Sequence, residues 1–338
     1  MTVRLWNFNR IPVYFLWNLL TQKTMKITSL IRLISFSSFF SLILIPVFGQ
    51  NLDIKDQALL DLVAEDAEIE KLADGFRFTE GPVWNKEEGY LLFSDIPANT
   101  IYQWKPGEQV SVFREPSNNS NGLTYDAAGN LLMAEHGGRK IASLSPDGQY
   151  DAVVTAYKGT RLNSPNDLIV HSNGSIYFTD PPYGLPADAS DTLGFFGVYR
   201  FHKGKTTLIA EDLYRPNGLA LSPDERTLYV ANSDQPKKYM RYPLSKGGKA
   251  GKGKLFFNAS ILSGDGNPDG IKVDAQGNLF ATGPGGVLVL APDGRLLGTI
   301  RFPETPSNLA FGGQEGKTLF VTARTGLYAV ELKVAGNE

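Results

Sequence analysis

Six residues with oxygen-bearing side chains begin six copies of a short pattern that recurs along the chain. The copies contain EGPVW, NGLTY, NDLIV, NGLAL, DGIKV and NLAF, and they start 39 to 52 residues apart. Their first residues are Glu80, Asn121, Asn166, Asn217, Asp269 and Asn308. Two carboxylates and four carboxamides are the kind of donor set that hard divalent cations prefer. The pattern therefore predicts a cation site, provided that the fold brings the six positions together.

Ca²⁺ is the cation that we expect, because it takes about six to eight oxygen ligands in flexible geometry. Mg²⁺ and Mn²⁺ also accept such ligands, and Zn²⁺, which prefers nitrogen and sulfur, can use carboxylates. A competing interpretation is that Asn-Gly and Asp-Gly pairs are ordinary turn residues. Glu80 has no turn preference, so that interpretation does not explain its place in the series.

The elements that must position these residues are strands. Each first residue opens an alternating apolar run, and after a turn a second strand ends 14 or 15 residues further on. Repeats of roughly 40–50 residues with about four strands each are typical of propeller blades. The six copies therefore predict an all-β, six-bladed propeller over residues 69–335. Its innermost strands would bring the six first residues to one level of the central channel.

Two segments precede the first blade. EIEKLADGFRF, residues 68–78, has no blade of its own, and we expect it to complete the last blade and close the ring. In the lead-in, residues 50–68, the apolar residues of Ile54–Ala64 have helical spacing. That spacing predicts one short helix outside the propeller.

Composition excludes several classes of function. The chain has 338 residues with 33 basic and 35 acidic side chains and no cysteine. Disulfides, cysteine-ligated zinc, iron–sulfur clusters and thiol nucleophiles are thereby excluded. The balanced charge offers no basic footprint for nucleic acid.

The first 49 residues have the pattern of a signal peptide. They contain five basic residues and no acidic one, and an apolar run covers residues 33–48. Met25 and Lys26 would form the true start, and Gly49 would precede the cleavage site. We therefore expect the mature protein to be exported, either periplasmic or secreted. The alternative is that the apolar run is retained as an N-terminal anchor.

Five ordered motifs resemble the SMP-30/gluconolactonase/LRE-like family. They are FRFTEGPVW (76–84), RLNSPNDLIV (161–170), FTDPPYG (178–184), RPNGLALSPD (215–224) and NPDGIKVD (267–274). The resemblance extends over residues 72–332. It implies a six-bladed propeller with a divalent cation in the channel, and a hydrolase that opens sugar lactones in the manner of a gluconolactonase.

The resemblance also implies roles for individual residues. Those implied are metal ligands at Glu80, Asn217 and Asp269, a catalytic base at Asp269, and substrate-side residues at Asn166, Asn121, Asp167 and His136. Asp167 is a second candidate for the base, and it could equally form a structural bond beneath the site. His136 could contact the substrate or play a structural role. Asp180 and Tyr183 are expected to fix the loop over the channel.

Three functions remain open on the residues alone. The first is a metal-dependent lactone hydrolase, in which the cation polarises the carbonyl and a carboxylate activates water. The second is a paraoxonase-like esterase or phosphotriesterase. The third is a non-catalytic propeller that binds a sugar or a protein and carries Ca²⁺ for stability, because fold alone does not determine function. The expected partner is a small lactone, with no nucleic acid and no membrane after signal cleavage.

Overall fold

The computed structural model describes residues 51–337, and these form six antiparallel sheets arranged around a channel. The innermost strands contact one another in cyclic order, and the sixth contacts the first, so the ring is closed. The predicted six-bladed, all-β propeller is therefore confirmed. The predicted signal peptide, residues 1–49 with its start at Met25, lies outside the described residues.

The strands are numbered in chain order. Two precede the first blade: β1 (Leu52–Ile54) and β2 (Glu70–Asp74). Blade 1 contains β3 (Thr79–Asn85), β4 (Tyr90–Asp95), β5 (Thr100–Trp104) and β6 (Ser111–Arg114). Blade 2 contains β7 (Ser120–Tyr125), β8 (Leu131–Glu135), β9 (Lys140–Leu144) and β10 (Tyr150–Val154). A small hairpin follows, β11 (Ala156–Tyr157) and β12 (Thr160–Arg161).

The remaining four blades follow the same plan. Blade 3 contains β13 (Leu168–Val170), β14 (Ile176–Asp180), β15 (Gly197–His202) and β16 (Lys205–Ala210). Blade 4 contains β17 (Pro216–Leu221), β18 (Thr227–Asn232), β19 (Lys238–Pro243) and β20 (Lys254–Asn258). Blade 5 contains β21 (Ile271–Val273), β22 (Leu279–Gly283), β23 (Gly286–Leu290) and β24 (Leu296–Ile300). Blade 6 contains β25 (Pro306–Gly312), β26 (Thr318–Ala323) and β27 (Gly326–Glu331).

The core consists of six apolar clusters, each between two adjacent blades. Side chains of a strand alternate between its two faces, so consecutive residues enter different clusters. Leu91 and Phe93 of β4 pack with Phe320 of blade 6. Leu92 between them packs with Met133 of blade 2. Each blade is thus buried on both faces, which explains why the second strands are apolar at consecutive positions.

The ring closes as predicted. β2 pairs antiparallel with β27, with Glu70 opposite Ala329, and supplies the fourth strand of blade 6. Because β2, which precedes the first blade, completes the last blade, the ring cannot open without breaking a sheet. The edge that the three-stranded blade would otherwise expose is covered.

Of the helix predicted at Ile54–Ala64, only Gln57–Asp61 is helical, and it forms a 3-10 helix. β1 instead adds a fifth strand to blade 5, with Leu52 opposite Ile300. Asp56 then caps a 3-10 helix of five residues, Gln57–Asp61, by accepting a hydrogen bond from the Ala58 N–H at 2.9 Å. The apolar residues of this segment pack in the cluster between blades 5 and 6, and this packing accounts for their spacing.

The residues from Asn51 to β2 form a strap that joins blades 5 and 6. Leu59, a residue of this strap, is fully buried. A Cβ added to Gly298 would come within 2.7 Å of the Leu59 side chain, so the strap lies directly on the sheet. Within residues 51–337, no helix is long and apolar enough to span a membrane.

Replacing Leu59 with alanine should lower the free energy of unfolding by about 2–5 kcal/mol, because the change leaves a cavity between strap and sheet. Guanidinium unfolding measures this. Ile261→Ala is the control, since Ile261 is 69% exposed, and its effect should stay within about 0.5 kcal/mol. Equal effects of the two substitutions would show that the strap does not support the ring.

Candidate active site

The six repeat residues lie at the same end of the inner strands. Four of them lie within the first three residues of their strands: Glu80 in β3, Asn121 in β7, Asn217 in β17 and Asn308 in β25. Asn166 and Asp269 come two residues before β13 and β21. All are buried except Asp269, which is partly exposed. The structure therefore brings together the positions that the sequence pattern predicted.

A close approach of neighbouring inner strands sets the size of this ring. The Gly122 N–H donates to the Asn166 carbonyl at 2.8 Å, and the Gly218 N–H donates to the Asp269 carbonyl at 3.2 Å. A Cβ on Gly122 would lie 2.5 Å from the Asp167 carboxylate and 2.9 Å from the Asn166 carbonyl. Glycine follows four of the six residues because a side chain there would collide with the next blade.

A second set of polar residues lies at the ends of the second strands. These residues bind the loops that precede the inner strands. These residues are Asp95, Glu135, Asp180 and Asn232. Asp180 accepts hydrogen bonds from the Asn163 N–H at 2.8 Å and the Ser164 N–H at 2.6 Å. Asp95 accepts from the Arg77 N–H at 2.8 Å. Of these four residues, only Asp180 is expected from the sequence motifs, and the shared position at the end of each second strand is the signal for the others.

Three carboxylates interact electrostatically in the ring. Burial raises the pKa of Glu80 to about 7, and the charge of Asp167 adds to the rise. Burial also raises the pKa of Asp269 well above its usual range, with further contributions from the charges of Glu80 and Asp167. Lys272 of β21, which the sequence analysis missed, opposes the shift at Glu80 and Asp167. The site thus carries more buried negative charge than its surroundings neutralise.

Three oxygens of the site are buried without a hydrogen-bond partner. They are Oδ1 of Asn121, Oδ2 of Asp167 and Oδ1 of Asp269. Among residues 51–337, no other buried carboxylate or amide oxygen lacks a partner. Buried polar atoms are almost always satisfied in folded proteins. Unsatisfied acceptors beside excess negative charge are what a bound cation would satisfy.

The amide groups differ in whether they can serve as ligands. Asn217 Nδ2 donates to Ser233 Oγ at 3.0 Å, and Ser233 in turn donates to the Pro268 carbonyl at 2.6 Å. This orientation leaves Asn217 Oδ1 for another partner. Asn308 donates to Glu80 at 3.0 Å and accepts from the Leu309 N–H at 2.8 Å. Both ends of Asn308 form hydrogen bonds, and its Nδ2 holds the Glu80 carboxylate in place.

His136 contacts Asn121, one of the six ring residues. Its Nε2 lies 3.3 Å from Asn121 Nδ2, and burial lowers the pKa of the imidazole to about 4. Because the amide nitrogen can only donate, we assign Nε2 as the acceptor of a neutral ring. That bond turns the Asn121 oxygen away from His136. A neutral histidine with this contact orients the Asn121 amide.

The donor set fits a hard divalent cation. Within residues 51–337, no three His, Asp or Glu side chains are grouped closely enough to hold a metal by themselves. A cation here would therefore need amide oxygens beside the carboxylates of Glu80 and Asp269. Such mixed oxygen sets suit Ca²⁺, which tolerates irregular geometry.

Comparison with known proteins assigns the family. The model of the SMP-30/gluconolactonase/LRE-like region matches residues 78–325. The chain belongs to this family. The resemblance read from the five motifs is thereby confirmed, and the match spans most of the propeller.

Several relatives of the chain are named as lactonases. The chain is 42% identical over 318 residues to a gluconolactonase of Zymomonas mobilis, covering 86% of this chain and 87% of that protein. It is 30% identical to a 6-deoxy-6-sulfogluconolactonase of Pseudomonas putida, covering 72% and 82%. A solved gluconolactonase of Xanthomonas campestris aligns with a TM-score of 0.76 at 36% identity, covering 83% of this chain and 94% of that one.

A more distant structure shares the fold. A regucalcin of Agrobacterium tumefaciens, described as a calcium-binding protein, aligns with a TM-score of 0.65 at 22% identity. It covers 79% of this chain and 95% of its own length. At that identity the likeness shows the propeller alone.

Replacing Gly122 with alanine should destabilise the ring by about 1–3 kcal/mol, because the new Cβ collides with Asp167 and Asn166. Gly247→Ala is the matched control, since a Cβ at Gly247 meets nothing within 4 Å. The control should change the unfolding free energy by less than about 0.5 kcal/mol. Thermal unfolding of both variants is the measurement, and an unaffected Gly122→Ala protein would contradict the close approach.

Proposed function

We propose that this protein hydrolyses sugar lactones with the help of one divalent cation in its channel. The observation that carries the proposal is the group of buried, unpartnered oxygens on Asn121, Asp167 and Asp269 beside carboxylates of raised pKa. Membership of the family and its lactonase relatives support the reaction class. Sugar lactones are favoured because the most similar relatives are named for them.

We infer that Glu80, Asn217 and Asp269 would hold the cation, with Asn166 beside it. Ca²⁺ is the ion that the oxygen-only donor set favours. When bound, such a cation polarises the lactone carbonyl and stabilises the negative charge that develops on its oxygen. The carboxylates of Glu80 and Asp269, which repel each other across the ring, would lose that repulsion at the same time.

Asp269 is the carboxylate best placed to act as the base. It is partly exposed, whereas Asp167 is enclosed and bonds the Leu168 N–H at 2.8 Å. Asp269 would take a proton from water as the water oxygen bonds to the carbonyl carbon. The ring C–O bond then breaks, and the proton passes to the departing oxygen, which gives the open hydroxy acid.

Acid release from glucono-δ-lactone by the full chain tests the proposal. EDTA should abolish turnover, and Ca²⁺, or one of Mg²⁺, Mn²⁺ and Zn²⁺, should restore it. Asp269→Asn should lower kcat by roughly 10²–10⁴-fold, the usual contribution of a positioned base. Asp265→Asn is the control, because Asp265 lies four residues upstream and is exposed.

Three results would contradict this proposal. Turnover that is indifferent to EDTA would exclude the cation from the reaction. A protein that binds the cation, as shown by a raised melting temperature, but opens no lactone would be a binding propeller with a structural ion. Activity on aryl esters or phosphotriesters without activity on lactones would favour the paraoxonase-like alternative.

We also propose that the mature protein is exported. The acid-free segment of residues 1–49 and its apolar run, residues 33–48, support this. β1 begins at Leu52, so cleavage before Gln50 would leave the strap intact. The proposed compartment is the periplasm or the medium.

Mass spectrometry of the protein recovered from a bacterial host tests the export proposal. Its first residue should be Gln50 in the periplasmic or secreted fraction. A double variant, Ile43→Arg with Leu44→Arg, interrupts the apolar run and should leave an uncleaved protein in the cytoplasm. An uncleaved wild-type protein in the membrane fraction would instead establish the retained anchor.

A further inference from the structure

The loop between β14 and β15, residues 181–196, is bound to blades 2 and 3 near the mouth of the channel. The Gly184 N–H donates to Ser164 Oγ at 2.7 Å. A Cβ on Gly184 would come 2.7 Å from the His136 Cβ, so the loop packs directly on that histidine. Arg139 forms an ion pair with Asp191 at 2.7 Å. The position of the residue before Gly184 is therefore well defined.

That residue is Tyr183, and it reaches across to blade 4. The Arg215 guanidinium carbon lies 5.3 Å from the centroid of the Tyr183 ring. Burial and the nearby Asp269 charge raise the pKa of the Tyr183 phenol, while Ser233 and Asn217 lower it, so the hydroxyl lies near these three residues. Tyr183 thus connects the loop of blade 3 to the residues proposed to hold the cation.

Tyr183 as a residue is nevertheless 40% exposed, although its hydroxyl lies near buried polar groups. Arg215 lies over the ring by a cation–π contact and pairs with Asp234 at 3.4 Å, which fixes the aromatic plane. A fixed, exposed aromatic face at the rim of a polar channel is suited to packing against the C–H groups of a bound ring.

The hydrogen-bond inventory leaves the Tyr183 oxygen available to a ligand. Ser233 donates its only proton to the Pro268 carbonyl at 2.6 Å, so it can only accept from Tyr183. Asn217 can donate to the Tyr183 oxygen through Nδ2, so one acceptor lone pair of that oxygen remains for another donor. A hydroxyl group of a bound lactone is such a donor.

We propose that Tyr183 is a substrate-contacting residue that selects hydroxylated lactones. Its exposed ring face packs against the sugar ring, and its phenol oxygen accepts a hydrogen bond from a hydroxyl group of the substrate. This inference rests on the proposed lactone hydrolysis and specifies the substrate class, since a lactone without ring hydroxyls forfeits the hydrogen bond.

Two variants and two lactones test the role. Tyr183→Phe keeps the ring and removes the hydroxyl, so it should raise KM for glucono-δ-lactone about three- to tenfold, the effect of one hydrogen bond. It should leave kcat nearly unchanged and should not alter KM for δ-valerolactone, which has no hydroxyl group. Tyr183→Ala also removes the ring face and should raise KM for both lactones about tenfold or more.

The control is Tyr214, which is 68% exposed and lies next to Arg215 in the chain. Tyr214→Phe and Tyr214→Ala should change neither KM. Melting temperatures of all four variants show whether each one is folded, and Tyr183→Phe keeps every packing contact of the ring. Unchanged KM values in Tyr183→Phe, or equal changes for the two lactones, would overturn the proposal.

A binding measurement separates failure of this inference from failure of the proposed function. If the wild-type protein opens no lactone, the proposed hydrolysis fails. Calorimetric titration with 1,5-anhydroglucitol, a hydroxylated ring without the carbonyl, then decides the role of Tyr183. Binding that weakens about tenfold or more in Tyr183→Ala would support the contact, whereas equal binding, or none, would overturn it.

Discussion

The close approach of the six inner strands is the constraint on which the rest of the site depends. Backbone hydrogen bonds join neighbouring blades at the level of the ring, such as the one from Gly122 to the Asn166 carbonyl. No side chain fits in these gaps, so glycine follows Glu80, Asn121, Asn217 and Asp269. Because the strands are this close, the oxygen-bearing side chains ahead of the glycines have no route to solvent other than the channel. Residues at the same position of each repeat therefore lie together in one site.

The electrostatic cost of the arrangement is evident at Glu80, Asp167 and Asp269. Burial raises the pKa of each carboxyl group, and repulsion from neighbouring carboxylates adds to the rise at Glu80 and Asp269. One buried oxygen of Asp167 and one of Asp269 have no partner. Folded chains tolerate such groups mainly at functional sites, where a ligand removes the penalty. Lys272 relieves part of the repulsion from the side of blade 5. The remaining negative charge supports the cation site that we propose.

The six blades do not contribute equally to the site. Blade 6 supplies Asn308, whose amide is fully engaged with Glu80 and its own backbone and so supports blade 1. Blades 2 and 3 provide Asn121, His136 and the loop of residues 181–196, which cover one side of the mouth. The repeat places one oxygen-bearing residue of each blade in the ring. Departures from the repeat, such as Asp167 at the position where four other blades have glycine, make the blades chemically different.

The sequence by itself determined the number of blades, the strand that closes the ring, the family and the set of oxygen-bearing residues at the ring. Those features follow from periodicity and motifs, which depend on local pattern and need no distances. The tertiary structure decided that residues 57–61 form a 3-10 helix after an added strand, because their apolar spacing serves packing against blades 5 and 6. It also distinguished the engaged Asn308 from Asn121, whose amide oxygen is free, and placed Lys272 and Tyr183 at the site. Which oxygens lack partners and which charges lie together are properties of side chains brought close from separate blades, and no spacing along the chain encodes them.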